Sequence, residues 1–311
     1  GLTIPASVTY LGTDAFRGCT GFNGTLNLLC AGAEIDLRAF QDCTGFTGVQ
    51  FADGITVINN SAFYGCTGMT GQLVLPASLT TLGSWAFYEC AGFTGMLTIP
   101  SGVEVVDFKA FYHCSGLTGL TLSSGVTRVN ESAFEGCTGM TGALVLPDTL
   151  TYTGAYAFKD CGFTGDLTLP EGIDVSESSF ILPMIDGALT IPASITSAAL
   201  GNAVDGAFRD MYRVQTVVNN SEYSIRLIDR FISADDEETY FVKRGTTEPL
   251  RIYYYDSYNN QYSQTLGQGV YLRNGSLTPT TEQLILPAGV TLIQDEAFEG
   301  IGAGVVVIPA S

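Results

Sequence analysis

Ala15-Phe16-Arg17-Gly18-Cys19 returns along the chain as Ala39-Phe40 with Cys43, Ala62-Phe63 with Cys66 and Ala86-Phe87 with Cys90. It continues as Ala110-Phe111 with Cys114, Ala133-Phe134 with Cys137 and Ala157-Phe158 with Cys161. Successive phenylalanines lie 24, 23, 24, 24, 23 and 24 residues apart. A period of this size, held over seven units, predicts a solenoid in which each unit is one supersecondary element leaning on its neighbours.

Each unit has three parts. The first is a short apolar-x-apolar run, often closed by proline, such as Leu2-Thr3-Ile4-Pro5, Leu73-Val74-Leu75-Pro76 and Leu97-Thr98-Ile99-Pro100. The alternation predicts a strand with one buried face, and proline ends it because it cannot donate to the ladder. The second is another short extended piece, for example Val8 to Gly12 or Leu79 to Gly83. The third is the Ala-Phe-x-x-Cys turn, too short for a free helix and read as a single helical or 3₁₀ turn. Thr-Gly pairs such as Thr47-Gly48, Thr94-Gly95 and Thr141-Gly142 lead to the next strand, glycine permitting the bend. No unit can bury its Leu, Ile and Phe side chains alone, so the phenylalanines are expected to stack in one column. A parallel β-helix shares the period; the extra turn and the single alternating strand per unit favour a leucine-rich-repeat horseshoe or a gently curved rod.

Seven of the eight cysteines occupy the same place in successive units, and only Cys30 lies outside. Stacked positions would be about 4.8 Å apart with parallel Cβ vectors, beyond the roughly 3.5–4.5 Å that a disulfide asks of its Cβ atoms. Free buried thiols acting as small hydrophobes are expected.

The recurring order, apolar-x-apolar-Pro, then Val/Leu-Thr-x-Leu/Ile-Gly, then Ala-Phe-x-x-Cys, resembles the BspA-type leucine-rich repeat of bacterial cell-surface proteins. Leu117-Thr118-Gly119-Leu120-Thr121-Leu122 also fits the general L-x-x-L-x-L core, without the asparagine usual in eukaryotic repeats. The resemblance covers residues 1–211 and 284–311. It implies a leucine-rich repeat solenoid, a cell-surface or secreted location, and adhesion to host extracellular-matrix proteins and to other bacteria.

The pattern then decays. Ser179-Phe180 has lost Ala and Cys, Ala207-Phe208 is followed by Met211, and the period disappears until Leu284-Ile285-Leu286-Pro287. Nine of the fifteen tyrosines fall between Tyr212 and Gln283. Arg226 to Ile232 and Thr239 to Lys243, around the acidic turn Ser233 to Glu238, predict a β-hairpin. Leu250 to Tyr255 and Gly269 to Arg273 predict further strands, and Asn274-Gly275 a turn. The expected organisation is a solenoid over 1–211, an inserted Tyr-rich β subdomain over 212–283, and a resumed solenoid over 284–311. Gly1 begins in mid-pattern and Ser311 follows a strand-like run, so the chain reads as a piece of something longer, and a missing targeting segment says nothing about compartment.

Thirteen Lys and Arg stand against 31 Asp and Glu, a formal net charge of -18. That excludes a nucleic-acid partner, which needs a basic footprint, and disfavours docking on an anionic membrane. No run of 18 apolar residues is present to cross a bilayer. His113 is the sole histidine; it fills a variable slot beside Cys114 and reads as a surface residue rather than a general base. The cysteines lack the close spacing of a zinc site, Asp235-Asp236-Glu237-Glu238 lacks the alternating ligands of a calcium loop, and no nucleotide fingerprint stands out. No metal or cofactor is expected.

Two surfaces are candidates for binding. Strand midpoints including Thr98, Thr121, Thr168 and Thr190 should form the open face of the sheet. Small β-branched residues there suit an exposed strand, and an uncharged flat face can also be a ligand platform; Val74, Val145 and Gln50 interrupt the threonine ladder that ice binding would want. In the insert, Tyr253, Tyr254, Tyr255, Tyr258 and Tyr262 offer large amphipathic contact area, or alternatively pack the insert against the solenoid. The function expected is a non-enzymatic adhesin-like module recognising a protein or glycan. The alternatives are a structural spacer in a larger surface protein and, less favoured, a glycan-processing enzyme.

Overall fold

The computed structural model describes residues 1–195, apart from 177 and 183, together with the backbone of nine strands beyond them, from Thr216–Asn219 to Val305–Val307. Up to residue 195 the chain winds through about eight turns of a parallel β-solenoid. Most turns lay one strand on a front ladder; against the expectation from alternation, Leu73-Val74-Leu75 lies just past the two-residue strand Gly71–Gln72, and Leu144-Val145-Leu146 is not strand. Leu2–Ile4, Gly24–Leu28 and Phe46–Phe51 pair in order, as do Phe93–Ile99 with Leu117–Leu122, and Leu167–Thr168 with Ala188–Ile191 and Thr216–Asn219. The register aligns Thr3 with Asn27 and Gln50, and Thr98 with Thr121, so residues one period apart do lie above one another. A second ladder of two-residue strands runs alongside, from Tyr10–Leu11 to Thr81–Leu82 and from Val105–Val106 to Asp174–Val175. Alternation sets what is buried: in Phe93–Ile99, Phe93, Leu97 and Ile99 are inside while Thr94, Met96 and Thr98 look out.

The Ala-Phe-x-x-Cys turn corrects the expectation of a helical or 3₁₀ turn, since no helix is present among the described residues. Local bonds three residues back do form, as from Ala15 N to Gly12 O and from Cys19 N to Phe16 O, both 3.1 Å. The residue before each alanine, however, is left-handed, as is Ser178 before Ser179: Asp14, Arg38, Ser61, Trp85, Lys109, Ser132, Tyr156 and Ser178 have φ between 52 and 58°. So is the residue before each cysteine, Gly18, Asp42, Gly65, Glu89, His113, Gly136 and Asp160. A left-handed non-glycine residue costs roughly 1–2 kcal/mol. Here that backbone turns every second N–H out of the local turn and towards the next rung. Phe16 N donates to Ala39 O, and the same bond recurs through Phe134 N to Ala157 O at 2.7 to 2.9 Å. The flanking left-handed residues do likewise, from Asp14 N to Leu37 O and from Gly18 N to Gln41 O. The turn is therefore a third inter-rung ladder.

Inside, Phe16, Phe40, Phe63, Phe87, Phe111, Phe134, Phe158 and Phe180 form one continuous stack, with centroids 5.1 to 5.6 Å apart and planes within 12°. Phe22 and Phe46 start a second column, continued by Met69, Phe93, Leu117, Met140 and Phe163, which meets the first edge-on at Phe40, Phe87 and Phe158. The cysteines are free thiols, as expected, and buried except Cys19. They are also hydrogen-bonded: Cys43, Cys66, Cys90, Cys114, Cys137 and Cys161 each point Sγ at the carbonyl of the phenylalanine one rung back, at 2.9 to 3.1 Å.

Above the 24-residue period lies a longer one. Gly12, Asp36 and Asn59 recur 71 residues on as Gly83, Asp107 and Asn130, and Pro5, Pro76 and Pro147 keep the same step. Every third rung is one residue shorter, which is why the phenylalanine steps include 23, and the register shift falls there, at Thr25 opposite Gly48 and at Gly119. The Asp and Asn of this column tie rungs together: Asp36 accepts from Leu37 N at 2.7 Å and Asn59 Nδ2 at 3.2 Å, and Asp107 from Phe108 N and Asn130 Nδ2 at 2.7 and 2.8 Å.

Beyond residue 195, Ile225–Ile228 pairs antiparallel with Thr239–Val242, Arg251–Asp256 with Gln261–Leu266, and Val270–Arg273 with Ser276–Pro279, while Gln283–Ile285 pairs parallel with Val305–Val307. The division into an insert at 212–283 stands as the expectation drawn from the sequence.

Candidate binding surfaces

The front ladder presents three outward columns. One is nearly all threonine: Asn23, Thr47, Thr70, Thr94, Thr118, Thr141 and Thr164. The repeat places Thr25, Gly48, Gln72, Met96, Gly119, Ala143 and Asp166 at the next position, where Thr25 is in register with Gly48 and Met96 with Gly119 but Gln72 lies opposite Thr94; the third position holds Asn27, Gln50, Val74, Thr98, Thr121, Val145 and Thr168. Thr98, Thr121 and Thr168 are exposed and Thr190 is half-buried. Val74 is 63% exposed, Val145 71% and Met96 52%. Asp166 alone is charged among these positions, although the chain as a whole carries -18.

A second surface lies on the edge made by the Ala-Phe-x-x-Cys turns, one residue past the buried phenylalanines. Tyr64, Tyr88 and Tyr112 stack there face to face, at 4.5 and 4.8 Å with planes within 5°. His113 lies parallel to Tyr112 at 4.2 Å. In the adjoining columns Trp85 meets Phe108 edge-on at 4.9 Å, and Lys109 Nζ sits 5.1 Å from the Phe108 ring and 4.9 Å from that of Tyr112. Burial pushes the Tyr88 phenol up to about 12 and raises that of Tyr64, with Glu89 adding to both. These phenols are therefore neutral donors near neutral pH. The five aromatic side chains are half-buried and fall within three neighbouring rungs. Sequence reading passed over them because each fills a variable slot of the repeat; only knowing that slots one period apart stack reveals the cluster.

His113 is exposed, as a surface residue should be, and its backbone N–H joins the turn ladder to Glu135 O at 2.8 Å. No cluster of three metal-ligating side chains occurs among the described residues, and no helix among them is long and apolar enough to cross a membrane. Of the tyrosines picked out in the insert, Tyr253, Tyr254 and Tyr255 lie on the strand Arg251–Asp256, and Tyr255 is in register with Tyr262. Their side chains, and Tyr258 altogether, fall outside the described residues.

These ladders and columns define a leucine-rich-repeat type of β-solenoid. The BspA type Leucine rich repeat region matches in six copies over residues 1–116, 33–164 and 91–200. The chain belongs to that family. Among solved structures it resembles a leucine-rich repeat protein from Bacteroides ovatus ATCC 8483, with 21% identity and a TM-score of 0.52 over 71% of this chain and 63% of that one. The T. pallidum leucine-rich repeat protein TpLRR is 26% identical, with a TM-score of 0.46 over 51% of this chain and 75% of its own. A leucine rich cell surface protein from Faecalibacterium prausnitzii A2-165 is 18% identical, with a TM-score of 0.38 over 70% and 78% of the two chains. No curated protein matches the sequence.

Proposed function

We propose that this chain is a non-enzymatic binding module of the bacterial surface, a stiff rod that holds aromatic contact residues for a protein or glycan partner such as host extracellular matrix. The observation that carries the reading is the aromatic edge. Trp85, Phe108, Tyr64, Tyr88 and Tyr112 are fixed by stacking and by the ladder beneath them, and rigid aromatic side chains supply most of the energy at recognition surfaces. The tyrosines Tyr253, Tyr254, Tyr255, Tyr258 and Tyr262, close together in the sequence, are the second candidate aromatic group. Membership of a family resembling surface adhesins supports the location.

Binding to immobilised matrix proteins, to bacterial cells and to a glycan array tests this, with Trp85→Ala/Tyr112→Ala and Tyr253→Ala/Tyr255→Ala/Tyr258→Ala compared against the parent. At least one pair or triple should weaken retention about tenfold or more, the loss typical of one or two hot-spot side chains, with little change in melting temperature. Lower melting temperatures with undiminished binding by the folded protein would count against it. The unbroken buried core also suits a spacer, and removal of residues 212–283 without loss of function would favour that second reading.

A further inference from the structure

The front face is self-complementary about a line between the rungs of Thr98 and Thr121. Moving outward from that line, one side offers Met96 with Thr98, then Gln72 with Val74, then Gly48 with Gln50. The other offers Gly119 with Thr121, Ala143 with Val145, and Asp166 with Thr168. A two-fold axis along the strands, lying in the plane of the face, would set Thr98 against the second copy's Thr121 and Val74 against its Val145. In the neighbouring column Met96 would meet Gly119, a large side chain against a small one.

We propose that two copies of this chain pair face to face and antiparallel through this surface. Charge selects the partner. Two bodies of -18 repel wherever carboxylates meet; this face carries none from Asn23 to Val145, and Asp166 and Asp186 beyond it would lie against the second copy's Gly48 and Asn23, so no carboxylate meets another here. The exposed Val74, Val145 and Met96 supply the apolar area that makes the approach favourable. Eight rungs at about 4.8 Å and five residues at about 3.3 Å give a plane of roughly 38 by 16 Å. That is about 600 Å² per copy and 1,200 Å² in all, the lower end of specific interfaces. The pair therefore dissociates on dilution. The turn edges with Trp85 and Tyr112 stay open on both copies, so pairing doubles the aromatic edges the rod presents.

Sedimentation velocity of the whole chain over a dilution series tests the proposal. A monomer–dimer equilibrium is expected that tightens as salt rises, because screening removes repulsion between the acidic bodies. Val74→Glu alone and Val145→Lys alone should each weaken pairing by about tenfold or more, each placing a charge against valine. Together they should restore pairing, since the carboxylate introduced on one copy then meets the ammonium introduced on the other, twice. Both positions are exposed, and unchanged melting curves would show the variants folded. A monomer at every concentration, a dimer that salt dissociates, or a double variant no better than the singles would each overturn the proposal; the last would also be the result for two copies aligned in parallel.

Discussion

At the level of the single residue, the cysteine of the repeat is a hydrogen-bond donor as much as a small apolar filler. Cys90 lies wholly buried with Sγ 3.1 Å from Phe63 O, a carbonyl whose other donor, Cys66 N, stands further off at 3.3 Å. Replacing Cys90 by Ala should therefore cost about 1–3 kcal/mol for the poorly satisfied acceptor and the lost volume. Ser, which keeps a donor, should cost less. Urea midpoints for the two variants check this, and equal losses would reduce the thiol to a filler. The glycines after the cysteines are as constrained in the opposite sense: a Cβ on Gly68 would lie 2.0 Å from Thr44 O, while Gly21 has open space around it. Period alone gave no hint of that difference, since both are the glycine of a Thr-Gly pair.

At the level of the element, the turn is held by its neighbours on either side, and the phenylalanine stack shows the effect. Phe87 is buried and stacked on Phe63 at 5.2 Å and on Phe111 at 5.5 Å. Phe16 is half-buried and stacks on one side only, against Phe40. Phe87→Ala should destabilise by about 3–5 kcal/mol, the usual loss for a buried aromatic, and Phe16→Ala by distinctly less; thermal melts of both variants give the comparison. The stack was legible from the sequence because its spacing is regular and Phe is large. Most front strands were legible too, because alternation marks them, but Leu73-Val74-Leu75-Pro76 and Leu144-Val145-Leu146-Pro147 carry the same signal and are not strands. The turn's backbone was not legible. Asp14, Trp85, Lys109 and Ser132 have no side-chain chemistry in common, and it is the inter-rung bond rather than any local preference that holds them left-handed. The exposed cluster at Tyr64, Tyr88 and Tyr112 escaped for a related reason, being a property of stacking order and not of any one unit.

For the whole molecule, the buried thiols act together. Burial pushes Cys90 and Cys137 up to about 12 and holds Cys66, Cys114 and Cys161 well above their ordinary value of 9.0. Well below pH 9 the thiols are protonated in the folded and the unfolded chain alike and contribute no pH dependence. Above it the unfolded chain releases those protons while the fold keeps them. Each such thiol then lowers stability by about 1.4 kcal/mol per pH unit up to its folded value. Unfolding midpoints in urea should fall steeply between pH 9 and 11, and a flat profile would mean that the column ionises in place.

The turn ladder, finally, has a direction. From Phe16 to Phe134 every N–H in it is aimed at the carbonyl one rung further along the chain, and none is aimed back. Peptide dipoles so aligned add along this edge, giving the edge an arrow, while bonds such as Asp36 N to Leu11 O and Asn59 N to Ile35 O in the second ladder run the other way. Extra repeats spliced into such a rod are welcomed only in the head-to-tail sense, and a unit inserted backwards would meet donor with donor on one side and acceptor with acceptor on the other.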